Sequence, residues 1–201
     1  MSDTITAPDG QARCSWCAAV PEFLAYHDNE WGFPVKDDQR LFEKLCLESF
    51  QSGLSWRTIL AKRENFRAAF HQFDFNKIAC FNQYDVERLL QDAGIVRHRG
   101  KIEATINNAQ RVQELIKQEG SFAAFIWSYE PDANDLAEPQ TVSTSAESIA
   151  LYKELKKRGW KFVGPTTIYA FMQAMGLIND HVGGCTIRTK VESSRKNFRR
   201  P

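Results

Sequence analysis

The amino-acid sequence predicts an all-α protein, and three observations carry that expectation. Apolar residues recur three and four positions apart through most of the 201 residues, while strand-like alternation is nearly absent. Asp and Ser stand before several apolar runs and Gly stands after them, the order expected of helix starts and stops. With 43% hydrophobic and 12% aromatic residues, the chain can cover such helices around one large core or two small ones.

Met1 to Ala12 is polar and reads as a disordered tail. Asp37 and Asp38 are candidate N-caps for a helix that turns Leu41, Phe42, Leu45 and Cys46 to one face. Ser55 caps a second helix, with Trp56, Ile59, Leu60, Phe66 and Phe70. Asp85 is the candidate cap of a third, carrying Val86, Leu89 and Leu90, with Gly94 placed as a C′ glycine. A fourth spans Gly100 to Glu119, with Ile102, Ile106, Ala109, Leu115 and Ile116 inward and Gly120 as its stop. Phe122 to Tyr129 is a short apolar helix. Glu130 to Thr144, rich in Pro, Asp, Ser and Thr, is a surface loop. Ser145 to Arg158 is helical again, stopped by Gly159. Pro165 opens a last helix through Met172 and Met175, stopped by Gly176. Arg188 to Pro201 is polar and basic and reads as a second disordered tail.

The net charge is +1, so no global basic field announces a nucleic-acid partner, and any such partner must be held by a local patch. Five cysteines, an odd number, argue against a disulfide framework and for a reducing compartment. The first residues lack an apolar segment of signal-peptide type, and no apolar run approaches the ~18 residues of a membrane span. A cytoplasmic, monomeric protein with no membrane partner is the expectation.

Four residues near the two ends attract metal chemistry. Twelve residues separate Cys14 from His27, and three separate His181 from Cys185. Two thiolates and two imidazoles suit a closed tetrahedral Zn²⁺ site, which would clamp one end of the chain to the other. The alternative is four unrelated buried residues. Cys14 and Cys17 also form a C-x-x-C, a possible redox pair or sulfur ligand pair.

Glu48 breaks the apolar pattern of the first long helix. It lies seven residues after Leu41 and three after Leu45, on the stripe those residues bury. A buried carboxylate must be paired, protonated or in use; the alternative is a helix-end residue with its head in solvent. Trp16, Phe23, Tyr26, Trp31 and Trp56 crowd the same third of the chain, where their faces could sandwich a flat ring or serve as ordinary core. A third cluster lies between two helical stretches, where Gly94 and Gly100 bound a turn with Arg97, His98, Arg99 and Lys101. Glycines let a ligand approach the backbone, and the second helix begins there with free amides and added positive charge. That is a clamp for phosphates that positions a duplex without reading it.

Longer segments carry a resemblance. Ala25-Tyr26-His27-Asp28-Asn29-Glu30-Trp31-Gly32, Leu47-Glu48, Gly53-Leu54-Ser55-Trp56, Lys62-Arg63-Glu64-Asn65 and the hairpin Asp92 to Ile102 are similar to the 3-methyladenine DNA glycosylase I family, within the helix-hairpin-helix glycosylases. So are Lys156-Lys157-Arg158-Gly159, Phe162-Val163-Gly164-Pro165-Thr166 and Gly176-Leu177-Ile178-Asn179-Asp180-His181. The resemblance runs from Cys14 to about Cys185. It implies one all-α domain over residues 13–187, in two helical lobes, with the helix-hairpin-helix at about 85–118. It implies one structural Zn²⁺ per chain on Cys14, His27, His181 and Cys185, joining the termini and leaving Cys17 outside.

The resemblance further implies that Glu48 and Tyr26 hydrogen-bond a methylated adenine, that Trp56 and Trp16 line or stack on it, and that Phe23 stands where a Tyr is common. Glu48 is the residue closest to the chemistry. Leu54 is the candidate wedge in the base stack, with Gly94, Arg97, Arg99, Gly100 and Lys101 toward the DNA. Ser49-Phe50-Gln51-Ser52 is less Gln-rich than in relatives. The implied partner is double-stranded DNA containing alkylated adenine, and the implied product is free 3-methyladenine, released by hydrolysis without strand cleavage. Two alternatives are a non-catalytic zinc-stabilised helix-hairpin-helix module and a thiol enzyme built on Cys14 and Cys17.

Overall fold

The computed structural model describes residues 3–201. Thr4–Thr6 (β1) pairs antiparallel with Ala12–Cys14 (β2), Thr4 opposite Cys14. A 3-10 turn at Ser15–Ala18 leads into helices Pro21–Asn29 (α1), Asp38–Gln51 (α2), Trp56–Ala69 (α3), Phe75–Ile78 (α4) and Gln83–Gln91 (α5). Arg99–Glu119 (α6), Phe122–Trp127 (α7), Ala146–Lys157 (α8), Pro165–Ala174 (α9) and Thr186–Asn197 (α10) complete the order. The helical expectation holds, apart from the small terminal ribbon.

Helix α2 organises the rest, packing against α3, α6, α7 and α9. Its residues from Leu41 to Phe50 are buried almost without interruption. A helix covered on all sides is normally apolar all round. This one carries Lys44 and Glu48 inside, which demands partners for both. One continuous apolar cluster runs from Cys14 to Val191.

Local chemistry explains most boundaries. The Asp37 carboxylate accepts from the Arg40 amide at 2.8 Å and Ser55 Oγ from the Thr58 amide at 3.3 Å, capping α2 and α3. For α5 the cap is Asn82. Asp85 is three positions inside and accepts from the Asn82 amide at 3.1 Å, a reciprocal capping box rather than the expected cap. Gly94 is also not a C′ glycine, since α5 ends through Asp92; a Cβ there would sit 3.1 Å from Asn65, so Gly94 serves close packing. Gly176 does require glycine. Its φ is +80°, and a Cβ would stand 2.5 Å from the Pro34 nitrogen. It lets the α1–α2 connection lie across the end of α9, where the Val35 amide donates to the Met175 carbonyl at 3.2 Å.

Both expected disordered tails are corrected; only residues 1 and 2 lie outside the described part. Thr4-Ile5-Thr6 has the β-branched content of a strand, and the turn closes through Gly10 at φ +77°. The last residues form α10, which buries Ile187 and Val191, an i,i+4 pair. Arg195 secures it by donating to the Gly176 carbonyl and to Glu130, the latter at 2.9 Å.

Candidate functional site

Neighbouring residues on a helix point about 100° apart, and α1 uses this to serve two sites at once. Tyr26 faces α2, and His27 faces the C-terminal segment. Opposite Tyr26, the Glu48 side chain is 6% exposed and lines a cavity of about 170 Å³ with Trp16, Tyr26, Trp31, Gln51, Trp56, Ala170 and Gln173. A second cleft of about 300 Å³ shares Glu48, Gln51 and Ala170 and opens past Ser52, Gly53 and Leu54. Glu48 is therefore neither a solvated helix end nor part of the dry core.

One Glu48 oxygen takes the Lys44 ammonium at 2.7 Å. Lys44 also donates to the Tyr26 hydroxyl at 2.8 Å and lies 3.4 Å from the centre of the Trp56 ring. Burial lowers the Lys44 pKa, and the Glu48 charge opposes that shift. Burial, then Glu48, raises Tyr26 well above the ordinary phenol value, so its hydroxyl stays protonated. With a lysine already donating to its oxygen, that hydroxyl has its own proton to offer. The second Glu48 oxygen receives no donor from any described residue. The cleft thus presents an acceptor beside a donor, between aromatic faces.

The expected aromatic group is largely assembled. Trp16 lies 5.3 Å from His27 and 5.1 Å from Trp31, centroid to centroid, and walls the cleft. Phe23 does not line it; its ring backs Trp16 at 5.7 Å. Trp31 joins the wall as the aromatic grouping implied, whereas Lys44, Gln51 and Gln173 are site residues that sequence reasoning did not single out. Lys44 left a signal: it sits one turn before Glu48, three residues after Leu41, on the same buried stripe.

At the mouth, Leu54 is 43% exposed on the α2–α3 loop, a large apolar side chain held out in solvent. Nearby, α5, the turn 92–98 and α6 form the helical hairpin. Arg97 is exposed on it; Arg99 is exposed but engaged with Glu87 at 2.8 Å. Lys101 differs from its expected outward position. It is buried, and its ammonium donates inward to the carbonyls of Phe50 at 2.9 Å and Ser52 at 2.5 Å. Gly100 faces Phe162 and His98, where a Cβ would meet ring atoms at 3.3 Å.

Cys14, His27, His181 and Cys185 meet, all four buried, with their ligand atoms within 4.8 Å of one another. The His27 Nε2 to His181 Nδ1 distance is 3.1 Å. Cys185 Sγ is 3.5 Å from His27 Nε2 and 3.6 Å from His181 Nδ1, and Cys14 Sγ is 3.7 Å from the latter. The remaining ring nitrogens are committed outward, His27 Nδ1 to Asp28 at 2.7 Å and His181 Nε2 to the Trp31 carbonyl at 3.0 Å. Arg13 in turn holds Asp28 at 2.9 Å. Such outer partners fix the tautomer of a ligating histidine. The contact between the two sulfurs lowers the Cys185 pKa sharply, while the same contact and burial raise Cys14. A cation among them would hold both as thiolates, so the donor set fits a metal. Cys17 is separate: burial pushes its thiol up to about 11, the opposite of an activated redox cysteine.

Taken together, fold and site define a helical protein with a ring-walled cleft beside a helical hairpin and an exposed leucine. Comparison with known proteins narrows the class. The family pattern of methyladenine glycosylases matches residues 16–189. DNA-3-methyladenine glycosylase 1 of Escherichia coli is 52% identical over 177 residues, 86% of this chain and 95% of that one. DNA-3-methyladenine glycosylase of Haemophilus influenzae is 48% identical over 181 residues, 88% and 98% of the two chains. A solved 3-methyladenine DNA glycosylase I in complex with 3-methyladenine superimposes with a TM-score of 0.82 at 37% identity, covering 88% of this chain and 97% of that one. The chain belongs to the methyladenine glycosylase family.

Proposed function

We propose that this protein is a DNA-3-methyladenine glycosylase of base-excision repair. It flips the damaged nucleotide from duplex DNA and releases the base by hydrolysis. The observation that carries this reading is Glu48, a carboxylate buried among Trp16, Tyr26, Trp31 and Trp56 with one oxygen still open to a ligand. A non-catalytic DNA-binding module has no use for such a cleft.

Methylation at N3 makes the adenine cationic while it is still bonded to deoxyribose, so it is already a good leaving group. Recognition is the harder task. Extrusion costs a few kcal/mol, and Leu54 is placed to fill the gap left in the stack. Aromatic faces favour a cationic ring by about 0.5–2 kcal/mol. The open Glu48 oxygen accepts from an exocyclic amine and the Tyr26 hydroxyl donates to a ring nitrogen, a pattern adenine satisfies and guanine does not. A buried polar group left unpaired by the wrong base gives strong discrimination. Water then attacks C1′ as the N-glycosidic bond breaks; the bonding electrons leave with the base and neutralise its charge. No lysine lines either cleft among the described residues, and Lys44 is sealed behind the aromatic wall. The reaction is therefore monofunctional, without a Schiff base.

The four-residue cluster binds one structural Zn²⁺. Zinc bonds of about 2.3 Å to sulfur and about 2.0–2.1 Å to nitrogen give tetrahedral edges of about 3.6 Å (S···N) and about 3.3 Å (N···N). The observed 3.5–3.7 Å and 3.1 Å fall close to these. Four protein ligands leave no open position, so the ion supplies cross-linking rather than chemistry.

The test is release of free 3-methyladenine from methylated duplex DNA, identified by chromatography. Release without strand cleavage is expected. Its absence at micromolar enzyme would reject the reading.

A further inference from the structure

Behind the aromatic wall lies a small chamber lined by Tyr26, Glu30, Glu43, Lys44, Trp56, Arg63 and Arg67, among others. Each carboxylate here has a basic partner, and Arg40, also in the lining, is in no ion pair among the described residues. Arg63 holds Glu30 at 2.6 Å and Arg67 holds Glu43 at 2.7 Å. That leaves Glu48 as the counter-charge of Lys44, at 2.7 Å, and Lys44 as the counter-charge of Glu48. Both side chains are almost fully buried, so the pair is poorly screened by solvent.

A lone buried carboxylate would attract any cation in its cleft by Coulomb energy that the low dielectric enlarges. Here that attraction is already answered before a base arrives. The Lys44 ammonium also lies 3.4 Å from the centre of the Trp56 ring, so it shares the aromatic system that a cationic base would use. What remains for a ligand is geometry: one carboxylate oxygen and one Tyr26 hydroxyl proton between rings.

We infer that Lys44 is a specificity-determining residue, the resident cation that balances Glu48 so that the pocket selects a base by its hydrogen-bonding edge rather than by its charge. The pocket then takes adenine-shaped alkylated bases whether they are cationic or neutral. This rests on the glycosylase reading and refines its substrate class.

The test compares two ligands of nearly the same shape, 3,9-dimethyladeninium and its neutral 3-deaza counterpart, titrated against tryptophan fluorescence. The intact protein should prefer the cation by no more than about thirtyfold, the range aromatic contacts alone supply; a larger preference overturns the inference. Lys44→Met, which keeps the length and removes the charge, should raise the cation-to-neutral ratio at least about fivefold. A smaller change overturns the inference. A residue that merely packed would weaken both ligands together and leave the ratio alone. Lys44→Arg should retain the original ratio, and Lys44→Gln replaces the Met variant if that one does not fold. Base release from methylated DNA is assayed separately, so loss of the glycosylase reading shows as absent release whatever the ratio.

Discussion

The Cys/His cluster and the Glu48 cleft are built from the same materials: buried titratable groups set among tryptophans on either side of α1. They differ in completeness. In the cluster each histidine has a partner for both ring nitrogens, and Arg13 locks Asp28 behind His27. In the cleft Glu48 has one oxygen taken and one open. The lesson is that burial alone does not mark a functional charge; an unfilled valence beside a cavity does. The two regions are not independent, because Trp16 touches His27 and also walls the cleft.

The sharpest way to break this comparison is to disable the cluster. Cys185→Ser or His181→Ala should cost on the order of 5 kcal/mol or more, since structural zinc binding in small domains is worth about 10 kcal/mol. Thermal melting with and without a strong chelator, and metal analysis of the purified protein, check this. If chelation leaves the melting temperature unchanged, the cluster is packing and not a metal site.

Glu48 should show the opposite signature. Glu48→Gln should reduce base release by roughly 100-fold or more, the scale on which a hydrogen-bonding site rejects a mismatched partner, and should lower stability less than Ala does, because the amide keeps an acceptor for the Lys44 ammonium but not its counter-charge. Glu48→Ala should add a loss of about 3–5 kcal/mol, because it strands the Lys44 ammonium in a buried site. Single-turnover rates and melting curves on both variants separate the two effects. No destabilisation by either variant would mean that the Lys44–Glu48 pair is not what holds this region.

Much of this was legible in the sequence, and the reasons for the rest are physical. Caps, glycine stops and apolar stripes lie within one or two turns of each other, so α2, α3, α6, α8 and α9 could be read locally. The Cys/His candidates and the carboxylate stood out by residue type and spacing, and the resemblance left Cys17 aside. The β-ribbon and α10 could not, because each is stabilised by a distant segment: Arg13 by Asp28, and Arg195 by Glu130 and Gly176. A short polar helix with two inward apolar residues looks like a tail until its partner is known. Lys101 misled for a related reason: an interior lysine is rare, and the carbonyls that hold it, of Phe50 and Ser52, lie in a distant segment; Lys44 went unread although its partner Glu48 is one helical turn away.

Leu54 offers a smaller effect. Leu54→Ala should slow release from duplex DNA about tenfold, leave single-stranded substrate nearly unaffected, and change stability by under about 0.5 kcal/mol, because the side chain is exposed. Equal slowing on both substrates would remove the wedge role.

The hairpin gives the finest discrimination, because three basic residues at its turn sit in three different states. Arg97 is exposed, Arg99 is exposed but paired with Glu87, and Lys101 is buried on two carbonyls. Each phosphate contact contributes about 0.9 to the slope of log affinity against log salt. Arg97→Ala should flatten that slope by about one, and Arg99→Ala by less, since it must leave Glu87 to reach a phosphate. Lys101→Met should leave the slope unchanged yet lower stability by about 1–3 kcal/mol, because the carbonyls at the end of α2 lose their donor. It should also slow base release, for those carbonyls belong to the segment that leads directly into Gly53 and Leu54. A slope change in the Lys101 variant without a stability change would place its ammonium on the DNA side after all.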